Sequence, residues 1–339
     1  MTRRLPAEWE IQSAIQLTFP HEQSDWAPYL DYVIPNFIAI AESICSFQKL
    51  LIVCNDIDEV HKYLQHLSPQ ENIIYVELPS NDTWARDHGG ITIEENGDFV
   101  ILDFIFNGWG LKFPADKDNL INYKLFEKNI FKTQSLFKVG MVLEGGGIES
   151  DGNGVILTTS SCQLSPNRNP HLNADDIEEN FRELFGAKKI LWLENGYLAG
   201  DDTDSHIDTL ARFCDRETIA YVKCEDKNDE HFDALSAMEK ELQNFTDLNG
   251  KPYRLIPLPF PDACYDTEGN RLPATYANFT IINNAVLMPV YGVKQDQEAI
   301  EIISRIFPDR KIIPINCRAL IQQHGSLHCV TMQYPFGVI

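Results

Sequence analysis

The sequence has no apolar run of the roughly 20 residues needed to cross a bilayer. Its opening, Met-Thr-Arg-Arg-Leu-Pro-Ala-Glu-Trp-Glu, lacks the apolar stretch of a signal peptide. Basic residues are scarce: 28 Lys plus Arg stand against 50 Asp plus Glu, a formal net charge of -22. That balance makes nucleic acid and anionic membrane poor partners and draws small cations. A surplus of surface carboxylates kept for solubility explains the charge equally well. The eight cysteines show no CxxC spacing, which favours free thiols in a reducing compartment, so a cytoplasmic location is expected. No Pro- or Ser-rich linker divides the chain, and residues 1–339 are expected to form one domain with a large core.

What is present is an alternation of helix, strand, polar loop and hairpin. Tyr29–Phe47 has helical apolar spacing, with Pro35 as a kink or late start, and Lys49–Cys54 is strand-like. Helix 57–67 and strand 72–78 follow, then a polar loop 79–90 and a hairpin of 91–94 and 99–104 around Asn96-Gly97. The order then repeats. Helix 119–132, strand 139–143, loop 144–147 and strand 155–159 form the next unit. Helix 174–185, strand 189–193, the loop near 200 and a hairpin of 207–213 and 218–223 come third. Helix 232–245, strand 253–258 and a hairpin of 279–283 and 286–290 come fourth, and helix 295–306, strand 311–315 and loop 318–329 close the chain. About five such units suggest a propeller-like α/β ring. A doubly wound α/β sheet fits the alternation nearly as well.

The unusual residues fall in one slot, the loop after the first strand of a unit. It holds Asp82–Gly90, then Glu144-Gly-Gly-Gly, then Asp201–Asp208, and finally Gln323–Cys329. In a ring, these loops would meet at one mouth.

Cys329 ends a polar, glycine-containing loop, with His206 and His328 as available bases for a nucleophilic thiol. The other seven cysteines read as buried apolar packing. His206 and Asp208, two apart, would face one side of a strand. Glu144 could orient an imidazole, although Glu-Gly-Gly-Gly is also an ordinary turn. Trp84 beside Asp87 offers a cation a π face and a counter-charge, unless Arg86 and Asp87 are only a surface ion pair. The aspartates Asp201, Asp202, Asp204 and Asp208 with His206 are a candidate oxygen-rich metal site. That loop misses the EF-hand pattern, however, and would leave Cys329 without a role. A guanidinium suits paired carboxylates better, because each can grip its N–H fork in bidentate fashion.

These residues resemble the agmatine deiminase and bacterial-type peptidylarginine deiminase family, of the guanidino-group-modifying pentein superfamily. The matching segments run in family order: Thr83-Trp-Ala-Arg-Asp-His-Gly89, Asn107-Gly-Trp-Gly110, Leu143-Glu-Gly-Gly146, Asp201–Asp208 with Ala211-Arg-Phe213, and His328-Cys-Val-Thr-Met-Gln-Tyr-Pro335. The resemblance implies a five-bladed α/β propeller with pseudo-fivefold repeats. It implies Cys329 as nucleophile, His206 as acid/base with Glu144 its hydrogen-bond partner, and Asp87 and Asp208 as guanidinium clamps. Trp84 and Trp109 would shape the pocket, and no metal or organic cofactor is needed. Agmatine, hydrolysed to N-carbamoylputrescine and ammonia, is the first expected substrate, with peptidyl or free arginine second. Amidino transfer and a non-catalytic guanidine or polyamine sensor are the other readings, and a homo-oligomer is compatible with all of them. Two departures stand out: Ser205 where the family commonly has Gly, and Gly147 where a neighbouring branch has an aspartate.

Overall fold

Asn96 and Gly97 adopt left-handed φ values of 54° and 92°, which turn strand Ile91–Glu95 back onto Asp98–Ile105 as an antiparallel hairpin. In the computed structural model, which describes residues 2–133 and 135–339, the second hairpin strand then pairs in parallel with Leu136–Val142. A crossover carrying helix Ile121–Glu127 separates the two, as parallel pairing requires.

The same construction, hairpin and then parallel strand, recurs around the chain. It joins Ile148–Ser150, Val155–Thr159 and Lys189–Leu193. It joins Ala211–Asp215, Thr218–Lys223 and Arg254–Pro259, and again Thr280–Ile282, Ala285–Val290 and Lys311–Asn316. The fifth instance unites the ends of the chain: Met332–Pro335 lies antiparallel to Gln12–Thr18, which runs parallel to Lys49–Cys54. Ile73–Glu77 extends that sheet and Arg3–Arg4 extends the Ile91–Ile105 hairpin. A short pair, Cys264–Tyr265 with Arg271–Leu272, lies outside these sheets.

The crossover helices are amphipathic and locally bounded. Ala174–Phe185 buries Ile177, Phe181 and Phe185 at helical spacing, each contributing roughly 1.5–3 kcal/mol by removal from water. Asn173 and Asp176 form a capping box at its start, and Gly186 ends it at a left-handed φ of 65°. Leu30–Cys45 buries Val33, Phe37, Ile40 and Ile44 and continues through Pro35.

Four expectations change. The sequence to about Asp25 shows no clear periodicity, yet it contains the strand Gln12–Thr18, whose seven residues are all buried. A strand covered on both faces shows no polar alternation. The expected helix 119–132 is a 3₁₀ turn followed by Ile121–Glu127, and Asn129 at φ 55° has left the helix. The repeat is also shifted in phase: each strand after a helix pairs back onto the preceding hairpin. The polar loops are therefore links between successive sheets rather than the middle of a unit. Finally, Ile207–Thr209 is a 3₁₀ turn, and the strand expected from Ile207 begins at Ala211.

Candidate active site

Asp87 lies on the short turn Ala85–His88, in the link from Ile73–Glu77 to Ile91–Glu95. Its Oδ2 accepts a hydrogen bond from the Trp109 indole Nε1 at 2.9 Å, and its Oδ1 accepts from the Gly146 amide at 3.0 Å. Both donors are neutral. Burial therefore dominates and pushes the carboxyl up to about 6, only partly offset by His206. The alternative reading, a surface ion pair between Arg86 and Asp87, does not hold: Arg86 is buried, and its Nε and Nη2 have no hydrogen-bond partner.

Trp109 is held in an unusual backbone. Gly108, Trp109, Gly110 and Leu111 have φ values of 68°, 56°, 81° and 68°, and a left-handed non-glycine residue costs of order 1–3 kcal/mol. Edge-on packing against Phe106 and Phe113, with ring centroids 5.0 and 5.6 Å away, holds the indole toward Asp87.

The acidic stretch resolves into separate jobs. Asp201 accepts from the Thr203 hydroxyl at 2.6 Å and the Ser205 amide at 2.7 Å, shaping the loop as an Asx-type turn. Asp204 does not share that role: its two oxygens pair with Lys112 at 2.8 Å and Arg168 at 2.6 Å. Ser205 has φ 65°, the left-handed region glycine occupies without strain, which explains physically why glycine suits the residue before His206. His206 and Asp208 approach one point, Gly146, despite the missing strand. A Cβ added to Gly146 would lie 2.6 Å from His206 Nδ1, 2.8 Å from Asp87 Oδ1 and 3.2 Å from Asp208 Oδ2. Only glycine fits there.

His206 is fully buried. Its Nδ1 lies 3.6 Å from Asp87 Oδ1 and its Nε2 lies 4.0 Å from Glu144 Oε2, so neither contact is a hydrogen bond. Burial opposes its charge, but Asp87, Cys162 and Glu144 outweigh it and hold the imidazole well above its usual range. Glu144, expected to hydrogen-bond the imidazole, is instead gripped by Arg168, whose Nε lies 3.0 and 2.8 Å from the two carboxylate oxygens. Arg168 also donates to the Thr203 carbonyl at 2.8 Å, tying Glu144 to the His206 loop.

Asp208 is buried, and its Oδ2 accepts from His328 Nδ1 at 2.7 Å. Its Oδ1 has no partner. Burial works to raise this carboxyl, but the His328 hydrogen bond and the charges of His328, His206 and Arg212 bring it below the usual value. Cys329 Sγ lies 3.8 Å from Asp208 Oδ2 and 3.4 Å from Asn278 Oδ1. Burial first, then Asp208 and Asp87, push the thiol well above its usual range. Both effects favour the neutral thiol.

A cavity of about 350 Å³ leads to Cys329. Its walls carry the carboxyls of Asp25, Asp82, Asp87, Asp202, Asp266 and Glu268 and the imidazole of His324, and among the described residues neither Lys nor Arg lines it. Trp84, Trp109 and Phe113 supply flat faces, and a Cβ on Gly325 would overlap the Trp84 ring. Metal fits less well than the carboxylate count suggests. Two ligand-type clusters occur among the described residues, Glu144–Cys162–His206 and Glu8–Glu149–His328. In each, arginine already neutralises the carboxylates: Arg168 holds Glu144, and Arg212 holds Glu8 and Glu149. His324 and His328 have the four-residue separation of a zinc pair but diverge, His324 to the Gly200 carbonyl and His328 to Asp208.

The expected residues Trp84, Asp87, Trp109, Glu144, His206, Asp208 and Cys329 thus meet within one region. Arg168 and Asn278 were missed. Asn278 Oδ1 accepts from the amides of His328 and Cys329 at 2.8 and 3.3 Å, and its Nδ2 donates to the Asp208 carbonyl at 3.2 Å. It sits in the link between Arg254–Pro259 and Thr280–Ile282, the counterpart of the loops that carry Asp87, Glu144, His206 and Cys329.

Comparison with known proteins agrees with this arrangement. The chain matches the Porphyromonas-type peptidyl-arginine deiminase family over residues 4–335, and it belongs to that family. A protein of Marinomonas sp. (strain MWYL1), named "Putative agmatine deiminase", is 31% identical, with 98% of this chain and 94% of that protein covered. A C. jejuni agmatine deiminase, a cysteine-to-serine variant with substrate bound, superposes with TM-score 0.94 at 42% identity, covering 100% of this chain and 98% of that one. A Porphyromonas gingivalis structure described as "Putative Arginine Deiminase" gives TM-score 0.95 at 50% identity, with both chains covered completely. The relatives' names thus divide between agmatine and arginine.

Proposed function

We propose that the protein hydrolyses agmatine to N-carbamoylputrescine and ammonia. One observation carries the choice of substrate: the cavity above Cys329 has acidic walls and no Lys or Arg lining. Agmatine is a dication, with a guanidinium at one end and an ammonium at the other, so both ends meet carboxylates. Free arginine would carry an α-carboxylate into the same mouth, where six carboxyls face it and His324 is the one basic side chain among the described lining residues.

Asp87 and Asp208 hold the guanidinium, and its charge offsets the carboxylates that keep the thiol neutral. The Cys329 proton passes to solvent water, and the thiolate attacks the guanidinium carbon, forming a C–S bond and a tetrahedral adduct. His206, charged in the resting site, donates a proton to the departing nitrogen, and ammonia leaves as the C–N bond breaks. The resulting S-alkylthiouronium is attacked by water, whose proton passes to His206. Collapse breaks the C–S bond, releases the urea product and returns a proton to Cys329. Glu144, fixed by Arg168, stabilises the imidazolium. Thiol, imidazole and carboxylates supply these steps, so no cofactor enters the reading.

The five repeated sheets support a five-bladed propeller, with the fifth blade closed by the two chain ends, and a single domain over residues 1–339. No helix among the described residues is long and apolar enough to cross a membrane. The eight cysteines are unpaired, which supports a reducing, cytoplasmic setting. The test is ammonia release from agmatine by the intact protein and by Cys329→Ser. Release by the intact protein alone is expected, and equal release by the variant would remove Cys329 as nucleophile.

A further inference from the structure

His328 is the histidine that this chemistry leaves unused, although it adjoins Cys329. It is buried, and both ring nitrogens are engaged. Nδ1 lies 2.7 Å from Asp208 Oδ2, while Nε2 lies 3.1 Å from Glu8 Oε2 and 3.0 Å from Arg212 Nη2. Arg212 is itself fixed. It pairs with Glu8 and Glu149 and donates from Nη1 to the carbonyls of Ala277 and Phe279 at 3.2 and 2.6 Å. The ring therefore joins an immobile cluster of buried charges to one oxygen of Asp208. The other oxygen, Oδ1, is the unpartnered one.

We infer that His328 is a positioning residue, which fixes one oxygen of Asp208 and leaves the other free for the substrate guanidinium. The inference rests on the proposal that Asp208 grips that guanidinium. An ionised carboxylate only accepts, so Nδ1 carries a proton whether the ring is neutral or charged. In the neutral ring Nε2 accepts from Arg212, and in the charged ring it donates to Glu8. The Asp208 hydrogen bond survives either state. Cys329 gains nothing directly, since its contacts are with Asp208 and Asn278.

The geometry separates the two ring nitrogens as two testable jobs. Asn at this position presents its amide N–H near the place of Nδ1 and keeps the bond to Asp208. Gln reaches toward the place of Nε2 and keeps contact with Glu8 and Arg212 but not with Asp208. Agmatine affinity is measured by calorimetry in the Cys329→Ser protein, where no turnover occurs. His328→Gln should weaken binding about 10- to 100-fold, the scale of a lost hydrogen bond to a charged group. His328→Asn should stay within about threefold of the parent. A purely structural role predicts equal behaviour of Asn and Gln, and that result would overturn the inference. Asp208→Asn in the same background is the control. If it binds agmatine as tightly as the parent, the clamp proposal fails rather than the role of His328. Should a His328 variant not fold, histidine ¹⁵N NMR of the unmutated protein decides. A hydrogen-bonded His328 Nδ1 proton that vanishes in Asp208→Asn supports the inference, and an Nδ1 without a proton contradicts it.

Discussion

Asp87 and Asp208 are the same side chain, both buried and both next to His206, yet their acidities move in opposite directions. Asp87 is pushed up to about 6 and Asp208 is held down. The difference lies in their donors. Asp87 receives neutral N–H groups from Trp109 and Gly146, which compensate burial incompletely. Asp208 receives His328, which is backed by Arg212 and Glu8. In the proposed clamp, the Asp208 arm is therefore held ionised more firmly than the Asp87 arm. His206 offsets the burial of Asp87 only in part, which would leave that carboxylate receptive to a second cation in the proposed clamp.

The largest expected effect comes from breaking both arms together. Gly146→Ala drives a Cβ against His206, Asp87 and Asp208 at once. Activity should fall by about 1,000-fold or more, as misplaced reacting groups require, while a purified variant with near-normal kcat/KM would show that these groups yield freely. Next comes Asp208→Asn, which removes the preformed charge. A loss of about 100-fold or more in kcat/KM is expected, since a buried partner of a charged ligand group is removed.

The pH profile sharpens the contrast. As pH falls through about 6, Asp87 in the free enzyme gains its proton and loses its attraction for a cation. kcat/KM should therefore decline below that pH, and Asp87→Asn should abolish this limb along with most of the activity. Asp208, lowered, should contribute no limb there. Trp109→Phe removes one donor to Asp87 and should move the limb to higher pH, with no shift if the indole bond is unimportant.

The smallest effect is on stability. The Asp87 carboxyl titrates near 3.8 unfolded and about 6 folded, so the folded state binds more protons between these values. Stability from this group is present below the lower value and lost as pH rises through the upper one. That loss is on the order of a few kcal/mol. Asp87→Asn should consequently raise the melting temperature at neutral pH and lose that advantage near pH 4. A uniform gain at both pH values would point to packing instead.

The repeat and most of the site were legible in the sequence because their signals are local. Val155–Thr159, Ala174–Phe185, Lys189–Leu193 and Thr218–Lys223 carry their own periodicity, caps or turns, and their ends match the structure. Asp87, His206, Asp208 and Cys329 stood out because polar residues clustered beside apolar strands. What was hidden depends on distant pairing. Gln12–Thr18 is covered on both faces, and its partner Met332–Pro335 lies at the other end of the chain. Arg168 appears in Asn167-Arg-Asn-Pro170, with nothing local to show that it holds Glu144. His206 and Asp208 converge on Gly146, but a 3₁₀ turn brings them there instead of a strand.

The central claim is that an acid-walled cavity selects a guanidine without a carboxylate. Its most direct test is kcat/KM for agmatine against free arginine, measured side by side as ammonia release. The account predicts a preference for agmatine of about 100-fold or more, because arginine leaves its carboxylate facing acidic walls. Turnover of arginine as fast as agmatine would contradict it.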